Sequence, residues 1–288
     1  MTLAAGITFP ADHTAPAWRA VWGLFLLCVI FRLLDVFVFR SDEWFGEQVL
    51  TKALGLAAIL AYLWFAGRSA SAIGVRAGGW DRAVLMGVAV AGAALVAGYT
   101  AEVITLFVSG QAPSLRIGFQ GHSLLPDTAM QGGLTFGLGL LAGNLLNSAM
   151  EESLFRGLMI SHFLLRMSFA RANLLQAVLF GLWHVIWPLR GWMDGEMSAP
   201  VALGIAATYV ISAGVAGYAW GLLFLATRSL WSAFTAHTVH NSVLNALHVD
   251  TGLGEAPLLG VRVSVAVIVL LALSALTLWR RRSQPSDI

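Results

Sequence analysis

The sequence predicts an all-α, polytopic membrane protein built as a bundle of about eight transmembrane helices. Apolar residues make up 58% of the chain and charged residues only 11%, whereas roughly 25% of the residues in soluble proteins are charged. The mean hydropathy is +0.78, and the apolar residues fall in runs near the roughly 20 residues that cross a bilayer. No repeat or second-domain signal is present, so residues 1–288 are predicted to form a single membrane domain.

Eight apolar runs are the candidate spans, and Gly, Pro and Arg punctuate the segments between them. The runs are residues 20–39, 49–66, 83–109, 133–162, 173–188, 201–226, 230–248 and 259–279. The fourth run is too long for one straight span, so we expect a break or kink near Gly143, Asn144 or Asn147. The first run follows no basic n-region and ends without a small-residue cleavage site, so we expect it to be retained.

The basic residues predict the orientation in the membrane. With both termini in the cytoplasm, the cytoplasmic side collects 11 arginines, counting Arg156, and the opposite side collects five Lys or Arg residues. The positive-inside rule therefore predicts cytoplasmic N- and C-termini in a multi-pass protein of the cell (inner) membrane. Arg32 lies inside the first span, where we expect it to pair with Asp35.

Charge and cysteine content exclude other classes of function. The net charge is only +2 and is dispersed, which does not indicate nucleic-acid binding. The single cysteine, Cys28, excludes an internal disulfide and a cysteine-based metal cluster, so we interpret it as a small core or lipid-buried residue.

The stretch Asn147–Gly157 places two carboxylates and an arginine inside the fourth span. A charged side chain at membrane depth costs about 2.5–3.5 kcal/mol on insertion scales and marks a functional site by default. Glu152 and Arg156 are four residues apart on one helix face, which predicts an ion pair. Glu151 points about 100° away, so we expect it to find its partner on another helix and to be the free acid or base.

Two later spans carry residues that suit such a carboxylate. Phe180-Gly-Leu-Trp-His184 places an imidazole one turn after an aromatic ring, and His237 and Asn241 lie four apart on one face of the seventh span. At 1.5 Å per residue, Glu151, His184 and His237 lie about 15, 16 and 12 Å from the cytoplasmic helix ends. The three side chains are therefore predicted to meet at one depth.

This constellation is what hydrolysis of a peptide bond inside the membrane needs. Glu151, helped by His184, would activate water, and His237 and Asn241 would donate hydrogen bonds to the oxyanion. We expect a polar cavity open to the cytoplasmic side and lined by small polar residues, namely Ser153, Thr235 and Thr238. A nucleophilic serine motif and His-Glu-x-x-His are both absent, but zinc held by two histidines and a glutamate stays an open alternative.

The motifs resemble those of the CAAX prenyl protease and bacteriocin-processing family, also called ABI or CPBP, which includes the Ras-converting endopeptidase. The family signature is Glu-Glu-x-x-x-Arg, then Phe-x-x-x-His, then His-x-x-x-Asn or Asp. It occurs here over about residues 132–248, the predicted catalytic core, as Glu151-Glu152-Ser-Leu-Phe-Arg156, Phe180-Gly-Leu-Trp-His184 and His237-Thr-Val-His240-Asn241.

The resemblance implies an eight-helix, glutamate-dependent intramembrane endopeptidase without a cofactor, acting on a membrane-associated protein or peptide. It implies catalytic roles for Glu151, His184, His237 and Asn241 and supporting roles for Glu152, Arg156 and Phe180. His240 lies outside the pattern, so we expect it to serve packing or to support the catalytic residues. A composition rich in Ala, Gly and Arg and poor in Lys indicates a bacterial source. The main alternative is a non-catalytic bacteriocin-immunity or secretion-assisting protein on the same scaffold, and a proton-coupled transporter is a third.

Overall fold

The computed structural model describes residues 15–121, 130–251, 254–255 and 258–283, and most of them are helical, as the sequence predicts. Two π-helical stretches, Asp35–Phe39 and Ser153–Ile160, continue the first and fifth α-helices, and a 3₁₀ turn covers Ala70–Ile73. The α-helices are α1 (Ala15–Leu34), α2 (Asp42–Phe45), α3 (Val49–Phe65), α4 (Trp80–Val108), α5 (Leu134–Glu152), α6 (Ser161–Phe163), α7 (Phe169–Trp183), α8 (Ile186–Met193), α9 (Ala199–Thr227), α10 (Leu230–Ala246) and α11 (Leu259–Ser283).

Every predicted span coincides with a helix, but only some of these helices pass a test of length and hydropathy. Five stretches are long and apolar enough to cross a membrane, and α3 is apolar but shorter. The five are Trp18–Phe39, Trp80–Val108, Phe169–Met193, Ala199–Thr227 and Leu259–Ser283. The helices α5 and α10 are not among them: both carry the polar residues from which the site was predicted, and α10, with 17 residues, is also short.

The predicted break near Gly143, Asn144 or Asn147 is wrong. The helix α5 is continuous from Leu134 to Glu152, and departure from α geometry begins only at Ser153. Asn144 does not interrupt the helix, and its side chain finds partners on a neighbouring helix. The amide of Asn144 donates to Asn245 (2.9 Å) and to Ser242 (3.3 Å), both on α10.

The helices alternate in direction, so the connections gather at two ends of the bundle. We call one end the arginine end; it holds the connections 66–79, 164–168 and 228–229. The cavity end holds residues 40–48, 109–121, 194–198 and 247–251. Here two small antiparallel sheets pair β1 (Ser114–Ile117) with β4 (Leu247–Thr251) and β5 (Gly254–Glu255), and β2 (Phe119–Gln120) with β3 (Gln131–Gly132).

The helix α7, which presents the Phe180 motif, is held close to α9 by small residues and amides. A Cβ atom on Gly221 would overlap the side chain of Asn173, so this position requires glycine for the two helices to approach. Asn173 donates to the carbonyl of Tyr218 (3.0 Å), and Gln176 donates to the carbonyl of Gly217 (3.1 Å). These contacts fix the register in which α7 delivers its C-terminal residues to the centre of the bundle.

Candidate active site

One cavity of about 310 Å³ brings the predicted catalytic residues together. Three helices contribute Glu151, His184, His237 and Asn241 to its wall, and Phe180 lines it as well. The convergence at one depth is therefore what the structure shows, with α5, α7 and α10 each supplying a polar side chain. Glu152 and Arg156 are completely buried behind this wall and do not line the cavity.

Glu151 is held by groups from other helices, as its position predicts. The indole Nε1 of Trp183 donates a hydrogen bond of 2.9 Å to Oε1, and the guanidinium of Arg32 lies 3.9 Å from the same oxygen. The other oxygen, Oε2, lies 3.9 Å from Nε2 of His237 and has no hydrogen-bond partner in the structure. The carboxylate is thus anchored through one oxygen, while its second oxygen is left to react.

Glu152 forms the predicted ion pair with Arg156, at 3.0 Å between Oε1 and Nη1. The same oxygen also lies 2.8 Å from Nδ1 of His237. The guanidinium sits 4.3 Å from the ring centre of Phe180 and 5.2 Å from that of Trp220. Arg156, Glu152 and His237 therefore form a buried chain in which the carboxylate orients the imidazole.

The hydrogen-bond partners of the two imidazoles assign their tautomers. Nδ1 of His184 lies 2.8 Å from the carbonyl oxygen of Phe180, and because a carbonyl only accepts, Nδ1 carries the proton and Nε2 of the neutral ring is an acceptor. Nδ1 of His237 likewise donates to the carboxylate of Glu152. This contact with Glu152 fixes the orientation of the His237 ring.

Aromatic rings wall the histidines on the side away from the carboxylates. The indole of Trp220 stacks on His237 at 4.2 Å between ring centres, and its edge faces His240. The ring of Phe180 meets His184 edge-on at 4.8 Å. His240, which was expected to serve packing or to support the catalytic residues, also lines the cavity.

Several residues of the site were not found from the sequence. Arg32 was expected to pair with Asp35, but it lies beside Glu151 and over the Trp183 ring, 4.5 Å from the ring centre. The carboxylate of Asp35 instead accepts from the Ser41 hydroxyl and the Thr51 amide, both at 2.6 Å. The sequence indicates that the charge of Arg32 lies inside the first span. It does not identify the partner of Arg32, because the partner depends on how α1 packs against α5.

The prediction of the cavity wall was also wrong in part. Ser153, Thr235 and Thr238 do not line the cavity, since Ser153 begins the buried π-helix and Thr238 turns its hydroxyl back to the carbonyl of Phe234. The polar lining comes instead from residues closer to the cavity end, and this end is opposite to the expected arginine-rich side. These residues are Arg32, Glu47, Lys52, Gln120, Asn144, Asn147, His240, Asn245, His248 and Arg262.

The zinc alternative requires ligand-type side chains grouped around one point. Within the described residues, no group of three or more His, Cys, Asp or Glu side chains is arranged to hold a metal ion. In particular, Nδ1 of each of His184 and His237 is taken up by a protein acceptor.

Comparison with known proteins agrees with the motifs. Residues 133–243 match the family described as type II CAAX prenyl endopeptidase, Rce1-like, and this segment contains all seven predicted catalytic and supporting residues. Neither a search of curated proteins nor one of solved structures gives a match. The matched family is a protease family whose substrates are proteins in the membrane. The family model of the Rce1-like type II CAAX prenyl endopeptidases is therefore found at residues 133–243 of this helical membrane protein.

Proposed function

We propose that the protein is an intramembrane endopeptidase that hydrolyses a peptide bond with water activated by Glu151 and His184. The observation that carries this proposal is the pairing, on one cavity wall, of a buried carboxylate with a free oxygen and an imidazole whose free nitrogen is an acceptor. Two acceptors facing one cavity suit a water molecule that donates one hydrogen to each of them. Such a water has its oxygen lone pair free to attack a carbonyl carbon.

The reaction needs no group beyond water and these side chains. As the water oxygen bonds to the scissile carbonyl carbon, Glu151 takes a proton and the carbonyl oxygen becomes an oxyanion. The same proton then passes to the nitrogen of the leaving amine, the C–N bond breaks, and a carboxylic acid and an amine are released. Trp183 and Arg32 hold Glu151 through Oε1, which keeps Oε2 turned toward the attacking water.

His237 and Asn241 are proposed to stabilise the oxyanion. Glu152 holds the His237 ring through Nδ1 at 2.8 Å, and Nε2 of the same ring lies 3.9 Å from Glu151. Asn241 lies one helical turn further along α10 and lines the cavity. Donors fixed before the reaction stabilise the developing charge without reorganisation. Arg156 and Phe180 then act as supports, one for Glu152 and the other for both imidazoles.

The setting of this reaction is proposed to be a bacterial cell membrane, with the lipid bilayer and a membrane-associated protein or peptide as partners. No cofactor takes part. A non-catalytic immunity or secretion-assisting protein on the same scaffold would not need an intact Glu151, which separates the two functions by a single substitution.

The test is hydrolysis of membrane-tethered peptides by the purified chain in lipid. Glu151→Gln keeps the size of the side chain and its acceptance of the Trp183 hydrogen bond but removes the base, so cleavage should fall by at least about 100-fold, the lower range of general-base contributions. His184→Ala should lower cleavage by a similar factor.

Matched controls separate catalysis from folding. His162→Ala removes a buried imidazole at the arginine end that hydrogen-bonds Tyr62 and the Leu158 carbonyl, outside the cavity. Glu196→Gln changes an exposed carboxylate. Both controls should cleave like the wild type. Equal turnover by Glu151→Gln and the wild type would refute the proposed mechanism.

A further inference from the structure

The cavity reaches only one end of the bundle. Its wall includes Lys52 near the start of α3, Gln120 in β2, His248 in β4 and Arg262 in the first turn of α11, all at the cavity end. None of the connections of the arginine end, 66–79, 164–168 and 228–229, contributes a lining residue. Substrate and water therefore approach Glu151 from the cavity end.

The protein is closed between the two glutamates and the arginine end. The π-helix Ser153–Ile160 and the helix α6 follow Glu152 directly, and all of their residues are buried, with exposures of 6% or less where a value is given. Phe155, Met159, Ile160 and Phe163 have no exposed surface at all. A packed apolar plug thus separates the carboxylates from this end.

The two ends differ sharply in their basic residues. Arg156 is buried in the plug and does not belong to either surface, which leaves ten arginines at the arginine end. Most of them are exposed, and they are Arg19, Arg68, Arg76, Arg82, Arg166, Arg171, Arg228, Arg280, Arg281 and Arg282.

Besides Arg32, which is buried beside Glu151, the cavity end holds five basic residues, and each of them is in an ion pair with an acidic residue of the same end. Arg40 and Arg190 share Asp194, and Arg190 also binds Asp42 and Glu43. The remaining pairs are Lys52 with Glu47, Arg116 with Asp250 and Arg262 with Glu102, each at 2.6 Å. The excess of positive charge therefore lies entirely at the closed end.

We propose that the active-site cavity opens on the non-cytoplasmic face of the membrane. Lys and Arg near the ends of spans are retained on the cytoplasmic side, which assigns the arginine end to the cytoplasm and the cavity end to the outside. If the protein is the peptidase proposed above, on which this step rests, an outward-facing cavity indicates its class of substrate. The substrate is then a membrane-anchored or exported protein or peptide whose scissile bond lies in the outer half of the bilayer. A cytoplasmic protein modified on its C-terminus does not reach such a cavity.

Thiol labelling tests the orientation without any need for catalysis. Replacing the sole cysteine by Cys28→Ala gives a background in which single cysteines are introduced. Ser69→Cys at the arginine end and Ser198→Cys at the cavity end form a matched pair, since both serines are exposed and precede a helix without a side-chain capping bond. Ser212→Cys reports on the cavity wall itself.

A small, charged, membrane-impermeant thiol reagent is applied to intact spheroplasts and to permeabilised ones. The proposal expects Ser198→Cys and Ser212→Cys to be modified in intact spheroplasts, and Ser69→Cys only after permeabilisation. Labelling of Ser69→Cys and protection of Ser198→Cys in intact spheroplasts would overturn the orientation. Protection of Ser212→Cys while Ser198→Cys reacts would overturn the outward opening of the cavity.

A cleavage experiment completes the test. Single-span reporter proteins carry the same cleavable segment either in the outer or in the inner half of the bilayer, and cleavage of the outer reporter alone is expected. Cleavage of the inner reporter alone would overturn the proposal. A chain that labels as expected but cleaves neither reporter would refute the peptidase function and leave the orientation standing, so the two failures are distinguishable.

Discussion

Removal of Arg156 should destabilise the fold far more than removal of the whole Arg156–Glu152 pair. Both side chains have no exposed surface, and the guanidinium makes one hydrogen bond, to Glu152, while its Nε and Nη2 have no partner. Arg156→Met keeps most of the bulk against Phe180 but leaves a buried carboxylate beside His237 alone. Breaking a buried pair in this way costs about 3–5 kcal/mol, or roughly 100-fold to several thousandfold in the unfolding equilibrium.

The double variant Glu152→Gln/Arg156→Met should recover most of that loss. A neutral amide at residue 152 no longer needs a cation, and its carbonyl oxygen still accepts from Nδ1 of His237. The remaining cost is that of a weakened hydrogen bond, about 1 kcal/mol, so the coupling between the two positions should be about 2 kcal/mol or more.

The assay is a double-mutant cycle by reversible denaturant unfolding in mixed micelles, with retained helicity of the folded state as the check on each variant. If the effects of the two single substitutions on the free energy of unfolding add to within about 0.5 kcal/mol, the reasoning is refuted. Additivity would mean that water or another group stabilises the Glu152 carboxylate when Arg156 is removed. Peptide cleavage by the double variant provides a second readout: weaker orientation of His237 should lower turnover even where stability recovers.

Three further outcomes are expected. Gly221→Ala should lower the free energy of unfolding by about 1–3 kcal/mol through overpacking against Asn173, whereas Gly204→Ala, on the same helix with nothing near the added methyl, should not; equal effects would contradict the packing argument. A strong chelator should leave peptide cleavage unchanged, and loss of activity that zinc restores would favour the metal alternative. The hydrogen bond from Arg40 lowers the pKa of Asp194. This contact should therefore stabilise the fold above pH about 4, and the stabilisation should be lost as the pH falls through the lowered pKa. In a series of thermal unfolding curves at different pH, Asp194→Asn should remove the loss of stability that comes from this contact.

Helical periodicity and depth were sufficient to predict which polar residues converge. The spacing of four residues predicted the Glu152–Arg156 pair, and a constant rise per residue predicted that Glu151, His184 and His237 share one level. These properties depend only on the chain being helical. An apolar segment in a membrane is helical because its backbone polar groups must find their hydrogen-bond partners within the protein. The roles assigned to these residues stay predictions until the variants are assayed.

Contacts between helices could not be predicted in the same way. The hydrogen bond from Trp183 to Glu151 and the approach of Arg32 depend on how three helices are rotated against each other, which a single sequence does not encode locally. The π-helix Ser153–Ile160 is a similar case, since its eight residues read as an ordinary apolar helical stretch. The polarity of Asn144 suggested a break, but its partners on α10 satisfy it within a regular helix.

The polar residues that lower the hydropathy of α5 and α10 below that of the other spans also indicate where the active site lies. Polar residues at membrane depth are tolerated when they face the bundle interior or a water-filled cavity, so a helix with too many of them must be shielded by its neighbours. The helices α5 and α10 supply Asn144, Asn147, Glu151, His237, Asn241 and Asn245 to one cavity, and the apolar helices around them provide the surface toward lipid. A low hydropathy within a chain of otherwise apolar spans therefore identifies the helices of the site, while the distribution of arginines identifies the end from which the site is closed.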